Sequence, residues 1–191
     1  VGEIIFDLIG LDQEFHINKK IGTPIATAII ADTGGLRYQN TTAKVFNIIS
    51  NLMETGVDIY SINRAIFASY RYNTVKLKGM ALSTLRLHEN GKIAYLRGEQ
   101  EMLNKVDEDL TEASGLVNYA RDIIGVEVGI IFTEVAEKET RVGFRSNSYC
   151  SVNEIASFFG GGGHPRAAGC TIDGGIDKVE KMVLSKVEDY V

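Results

Sequence analysis

With 191 residues, 45% hydrophobic and 24% charged, the chain has the composition of a globular protein with room for one or two domains and a substantial core. Its formal charge of −5 argues against a broad basic face for long nucleic acid, whose non-specific binding rests on many Lys and Arg, but leaves room for a small anion held by a few local cations. No window approaches the roughly eighteen uncharged apolar residues of a membrane span, and no basic stretch precedes an apolar one at the start, so no membrane partner is expected and a cytoplasmic location follows by default.

Residues 2–9 read as an amphipathic helix with Ile4, Ile5, Leu8 and Ile9 apolar; without an initiator Met, the chain is expected to begin mid-domain. Thr23-Pro24 before Ile25-Ala26-Thr27-Ala28-Ile29-Ile30-Ala31 predicts a short buried helix, with Thr as N-cap and Pro in the first helical position. It ends at Asp32-Thr33-Gly34-Gly35, where glycine accepts the left-handed closing conformation. Asp32 would then sit at the negative end of a helix dipole, which calls for a metal ion or basic side chain nearby; ordinary turn chemistry beside glycine is the competing reading.

After Asn40-Thr41-Thr42, Val45, Ile48, Ile49 and Leu52 recur at helical spacing until Gly56, and Asp58 caps a further helix through Ile59, Ile62, Ala65 and Ile66. Each stripe needs a partner, and a parallel sheet outside these residues would supply one. The stripes at 4–9 and 45–52 accordingly predict association, as a homodimer or non-specifically.

A helix through Val75, Leu82 and Leu85 leads to a second domain, where Asn90-Gly91 signals a hairpin turn and 92–97 a strand. The acidic run from Glu99 to Glu112 reads as a solvated helical face, because Met102, Leu103, Val106 and Leu110 are interleaved with it. Residues 126–133 form the clearest strand, and 141–146 its hairpin partner, with Val142 and Phe144 on one face and Arg141, Gly143 and Arg145 on the other. Arg145 thus emerges at a sheet end beside Ser146 and Asn147, a cluster suited to phosphate or nucleobase, or a merely solvated strand end.

Ser151-Val152-Asn153-Glu154 has the capping-box pattern, opening a helix through Val152, Ile155, Ala156 and Phe159 that Gly160 closes. Gly160-Gly161-Gly162-Gly163-His164-Pro165-Arg166-Ala167-Ala168-Gly169 follows. A glycine run forgoes packing and raises the entropy lost on ordering, so it is kept where backbone bends sharply or something approaches closely. Its free N–H groups with His164 and Arg166 suit an anion; a flexible connector is the alternative. It is neither G-x-G-x-x-G nor G-x-x-x-x-G-K-[ST]. Residues 170–172 return as a strand, and Ile176, Val179, Met182, Val183, Val187 and Tyr190 line one side of a last helix. Cys150 and Cys170 form no C-x-x-C pair and read as two small buried thiols; His16 and His88 read as surface residues.

With these residues in place the sequence resembles the DHH phosphoesterase family, in which a Mn²⁺-binding catalytic domain precedes a smaller DHH-associated domain. Asp32-Thr33-Gly34-Gly35-Leu36-Arg37-Tyr38 with Asn40-Thr41-Thr42 is similar to the last catalytic-domain motif. Gly115-Leu116-Val117-Asn118 with Arg121, Gly125-Val126-Glu127-Val128, Arg145-Ser146-Asn147 and the 160–169 run resemble the associated domain, particularly in the nanoRNase and pAp phosphatase branch. The resemblance implies an α/β fold: a mostly helical remnant of a parallel-sheet catalytic domain over 1–71, a linker helix over 72–90, and a small α/β domain with a mixed sheet over 91–191.

It further implies a phosphoesterase hydrolysing short oligoribonucleotides or pAp-like nucleotides at a two-metal centre. Asp32 would be one metal ligand; Arg145, Ser146, Asn147, Gly161, Gly162, Gly163 and His164 would bind substrate, with Arg166 a nearby cation. The family's earlier motifs, an Asp-rich segment and the Asp-His-His triplet, do not occur here. The expectation is therefore no complete catalytic set, loss of the Mn²⁺ site, and an inactive chain when alone. Alternatives are a nucleic-acid-binding module without catalysis, or action on cyclic dinucleotides or polyphosphate.

Overall fold

The chain divides after Tyr70 into two units, Val1–Tyr70 and Arg71–Val191, in a computed structural model that describes residues 1–11, 15–106 and 115–191. In the first unit the described residues form helices only: α1 (Gly2–Gly10), α2 (Lys19–Asp32), α3 (Ala43–Glu54) and α4 (Ile59–Phe67). Helix α2 starts earlier than Thr23-Pro24 suggests, because Asn18 accepts the Ile21 N–H at 3.1 Å and caps it, leaving Pro24 inside the helix. Asp58 caps α4 as its position predicts, and Thr42 caps α3 by accepting the Val45 N–H.

The stripe Val45, Ile48, Ile49, Leu52 is buried against Ile25, Ile29, Ile30 and Ile62 rather than left for an outside partner. Helices of this unit thus cover one another, and the expected exposure of 45–52 is corrected. On α1 the expectation holds for Ile4, Ile5 and Leu8, which stay exposed, whereas Ile9, with Phe6, packs inward. On α4, Ala65 and Ile66 are exposed and Phe67 joins Ile62 in the core instead.

The second unit comprises α5 (Tyr72–Leu82), β1 (Arg86–Leu87), β2 (Ile93–Gly98), α6 (Gln100–Val106), α7 (Leu116–Arg121), β3 (Val128–Ala136), β4 (Glu139–Ser146), α8 (Val152–Phe158), β5 (Gly162–His164), β6 (Ala167–Asp173) and α9 (Ile176–Glu188). Its six-stranded mixed sheet runs β1-β2-β3-β4-β6-β5, with β2 and β3 parallel and every other pair antiparallel. Alternation along the strands feeds two cores. Ile93, Tyr95, Val128, Ile130, Phe132, Val142 and Phe144 meet residues of α8 and α9. Ala94, Leu96 and Val126 meet Leu77 and Ala81 of α5, Leu103 of α6 and Leu116 and Ala120 of α7. The span 72–90 is therefore not one helix: α5 ends at Leu82 and covers the sheet, and Thr84 accepts the Arg97 N–H at 2.8 Å.

Several local expectations need correction. The glycine run is not simply a loop: residues 162–164 form edge strand β5, joined to β6 by a turn at 165–166. Ser151 caps α8 without the side-chain bond of a capping box. Met182 is exposed and Leu184 takes its place in the core of α9. His88 is no lone surface residue; its Nε2 lies 3.4 Å from Glu188 Oε1 and its Nδ1 is buried without a partner. His16 is exposed. Of the acidic run, Glu101 pairs with Lys105 on α6, and positions 107–114, Leu110 and Glu112 among them, lie outside the described residues. No helix among the described residues is long and apolar enough to cross a membrane.

Candidate anion-binding site

Strand register brings the predicted residues into rows. Arg145 lies opposite Gly129 on one side and Ala167 on the other, and Ala167 lies opposite His164. Residues aligned across a sheet share a face, so Arg145 and His164 flank the small Ala167, roughly 10 Å apart at two strand spacings. The neighbouring row is Gly143, Gly169 and Gly162, three positions without side chains. Ile131 covers Gly143, its Cγ2 2.9 Å from where a Cβ would stand, so the bare backbone beside Arg145 and His164 is that of Gly169 and Gly162, a geometry suited to a phosphate and the sugar attached to it. Arg145 Nη1 also donates to the Phe144 carbonyl at 2.9 Å, which steadies the guanidinium.

The four glycines differ in what requires them. Gly160, at φ 76°, closes α8. A Cβ at Gly161 would lie 2.2 Å from the Gly169 carbonyl oxygen, so that position is forced by close packing of backbone on backbone. Gly163, at φ 150°, would strike the Ala167 carbonyl at 2.5 Å. Gly162 has no such reason: its Cβ would find only Asn153 Oδ1, at 3.9 Å. The N–H groups of Gly160 and Gly161 are already spent on the Ser157 and Ala156 carbonyls, which leaves the β5 edge rather than the whole run to meet a ligand.

Ser146 and Asn147 are held by the protein itself. Ser146, 4% exposed, donates its hydroxyl to the Cys150 carbonyl at 2.7 Å, and its N–H goes to the Arg166 carbonyl at 3.2 Å. Asn147 donates its amide to the Arg121 and Val126 carbonyls, both at 2.9 Å. Arg166 sits at the hairpin turn with Nη1 2.6 Å from the Cys150 carbonyl.

The residue that composition and periodicity did not single out is Glu127. Only 4% exposed, its carboxylate accepts the N–H groups of Ser148, Tyr149 and Cys150 at 3.0, 2.8 and 2.8 Å and the Ser148 hydroxyl at 2.7 Å. Burial pushes its carboxyl up, but the bonds from Cys150, Ser148 and Tyr149 together outweigh that and hold it below the usual carboxylate range. The available signal was one acidic residue between Val126 and Val128 at the start of a buried strand. Burial likewise pushes the Cys150 and Cys170 thiols up to about 11, as expected of inert interior thiols.

In the first unit Asp32 is the exposed last residue of α2. Its backbone carbonyl accepts the Asn40 amide at 3.1 Å. The turn beyond it is built by Thr33, whose hydroxyl donates to the Ile29 carbonyl and accepts the Leu36 N–H, and by Gly34 and Gly35 at φ 58° and 73°. The turn therefore needs only the backbone of Asp32, and the carboxylate faces solvent. No group of three or more metal-ligating side chains occurs among the described residues. One exposed carboxylate does not meet the several oxygen ligands that a hard divalent ion requires, so these residues do not by themselves fit a two-metal centre.

Comparison with known proteins identifies the family. Residues 90–191 match the DHHA1 domain. The bifunctional oligoribonuclease and PAP phosphatase NrnA of Thermus thermophilus is 30% identical over 187 residues, 97% of this chain and 54% of that protein. A probable bifunctional oligoribonuclease and PAP phosphatase NrnA of Streptococcus mutans is 32% identical over 167 residues, 87% of this chain and 53% of that protein. The crystal structure of an exopolyphosphatase-related protein from Bacteroides fragilis superposes with a TM-score of 0.92 at 28% identity, covering 99% of this chain and 56% of that one. The chain spans about half the length of the curated relatives it matches. The resemblance to the DHH phosphoesterases is thereby borne out, and the chain belongs to the DHHA1 domain family.

Proposed function

We propose that this chain supplies the substrate-binding part of a phosphoesterase acting on short oligoribonucleotides or pAp-like nucleotides. The observation that carries the reading is the row His164–Ala167–Arg145 beside Gly162 and Gly169. A phosphate placed there meets a guanidinium and an imidazole, while the absence of side chains lets the sugar and phosphate approach the sheet. Ser146, Asn147 and Arg166, each bonded to backbone carbonyls, hold the shape of the rim. Asp32 would contribute one Mn²⁺ ligand, the remaining ligands coming from residues outside this chain, so the chain alone is expected to be inactive.

The test uses the longer protein that carries this chain, assayed with a trinucleotide, pAp and a cyclic dinucleotide. Arg145→Ala and His164→Ala each remove a charge-assisted bond worth about 1.5–3 kcal/mol, which predicts a fall of roughly 10- to 100-fold in kcat/KM. Gly162→Ala enters open space, so it should fold normally yet lower kcat/KM by obstructing the approach. Unchanged turnover of all three substrates in these variants would overturn the site. Measurable Mn²⁺-dependent hydrolysis by the present chain alone would overturn its expected inactivity.

A further inference from the structure

The hydrogen bonds around Glu127 form a chain that reaches the rim of the site. Its carboxylate lies in a cradle of the Ser148, Tyr149 and Cys150 N–H groups. Cys150, so held, presents its carbonyl to the Ser146 hydroxyl and to the Arg166 guanidinium. Arg166 in turn accepts the Ser146 N–H through its own carbonyl, and neighbouring Pro165 accepts the Val152 N–H at 2.9 Å. His164 immediately precedes that turn. The 148–150 segment thus has its backbone donors converging on one anion supplied by the protein itself, while the Asn147 N–H goes to the Glu127 backbone carbonyl.

We propose that Glu127 is a positioning residue for the anion site: by filling the amide cradle at 148–150 it fixes the Cys150 carbonyl, and through it the turn carrying Arg166 next to His164. This rests on the substrate-binding reading above. A carboxylate suits the task better than a neutral side chain, because it accepts several N–H groups at once and makes charge-assisted bonds with each. A structural role confined to stability would explain the cradle but would give Glu127 no coupling to Arg166 in ligand affinity.

The test is a double-mutant cycle on the present chain, with pAp as probe and calorimetry as readout. Glu127→Gln keeps one acceptor oxygen and turns the other into a donor facing Ser148, which loosens the segment at nearly unchanged volume. Glu127→Gln and Arg166→Ala are each expected to weaken pAp binding by about tenfold, and the double variant to be no worse than Arg166→Ala within about twofold. Losses that simply multiply, to about a hundredfold, would overturn the proposal, since independent effects add in free energy. Should Glu127→Gln not fold, Ser148→Ala, which removes one bond to the same carboxylate, takes its place in the cycle under the same criterion. His164→Ala separates the two levels: if it weakens binding while Glu127→Gln does not, the inference alone falls. If His164→Ala leaves pAp affinity unchanged, the substrate site itself is wrong and the positioning role falls with it.

Discussion

Glu127 shows how one residue can be legible in kind and not in role. A lone carboxylate leading into a buried strand is visible in the sequence, but its partners lie some twenty residues on, in a segment that only the β3–β4 hairpin brings back to it. Its depressed pKa has a definite sign for stability. Between the folded value and the ordinary unfolded value of about 4.3, the unfolded chain binds the extra proton, so stability rises with pH across that window. The contribution is present in full above about 4.3 and is lost as pH falls through the folded value. Urea denaturation from pH 3 to 7 should therefore show an acid-side slope that is reduced in Glu127→Gln; an identical slope in both proteins would contradict the assignment. The glycines teach a similar lesson: the sequence marks all four alike, while the structure separates Gly161, pressed against β6, from Gly162, which has space around it.

At the scale of elements, patterned segments were readable and unpatterned ones were not. The β3–β4 hairpin, α3 and α9 declare themselves by alternation or helical spacing, because their apolar residues must meet a core on one side. Strand β5 has no pattern to read; it is a strand because β6 pairs with it, a fact of tertiary structure. Helix α2 begins at Lys19 because Asn18 makes the capping bond, although Thr23-Pro24 is the stronger local signal. The tie between β2 and α9 was also hidden: Arg97 Nε lies 2.6 Å from Glu180 and Nη1 2.9 Å from Asp177. Its bond to Glu180, against the opposing effect of burial, holds the guanidinium even more firmly protonated than usual. Arg97→Ala leaves the buried Glu180 unpaired and is expected to cost about 2–4 kcal/mol in urea denaturation. Replacing both by Met should recover much of it; a loss below about 0.5 kcal/mol in the single variant would place this pair with ordinary surface bridges.

For the whole molecule, the relevant fact is that each unit owns its core. Both faces of the sheet in Arg71–Val191 are covered by helices from that same span. Residues 71–191 alone should therefore unfold in one cooperative transition and sediment as a monomer, whereas the full chain, with Ile4, Ile5 and Leu8 exposed on α1, should associate as concentration rises. A non-cooperative melt of the fragment, or a strictly monomeric full chain, would count against this division of labour. The two ends of the sheet carry a last consequence. Strands β1 and β5 are 2 and 3 residues long, and β5 is twisted at Gly163, so neither edge offers a flat ladder for another chain to extend. The bare strand that leaves room for a ligand is thus also a poor template for amyloid-like growth, and lengthening it with β-branched residues would endanger solubility before it touched the fold.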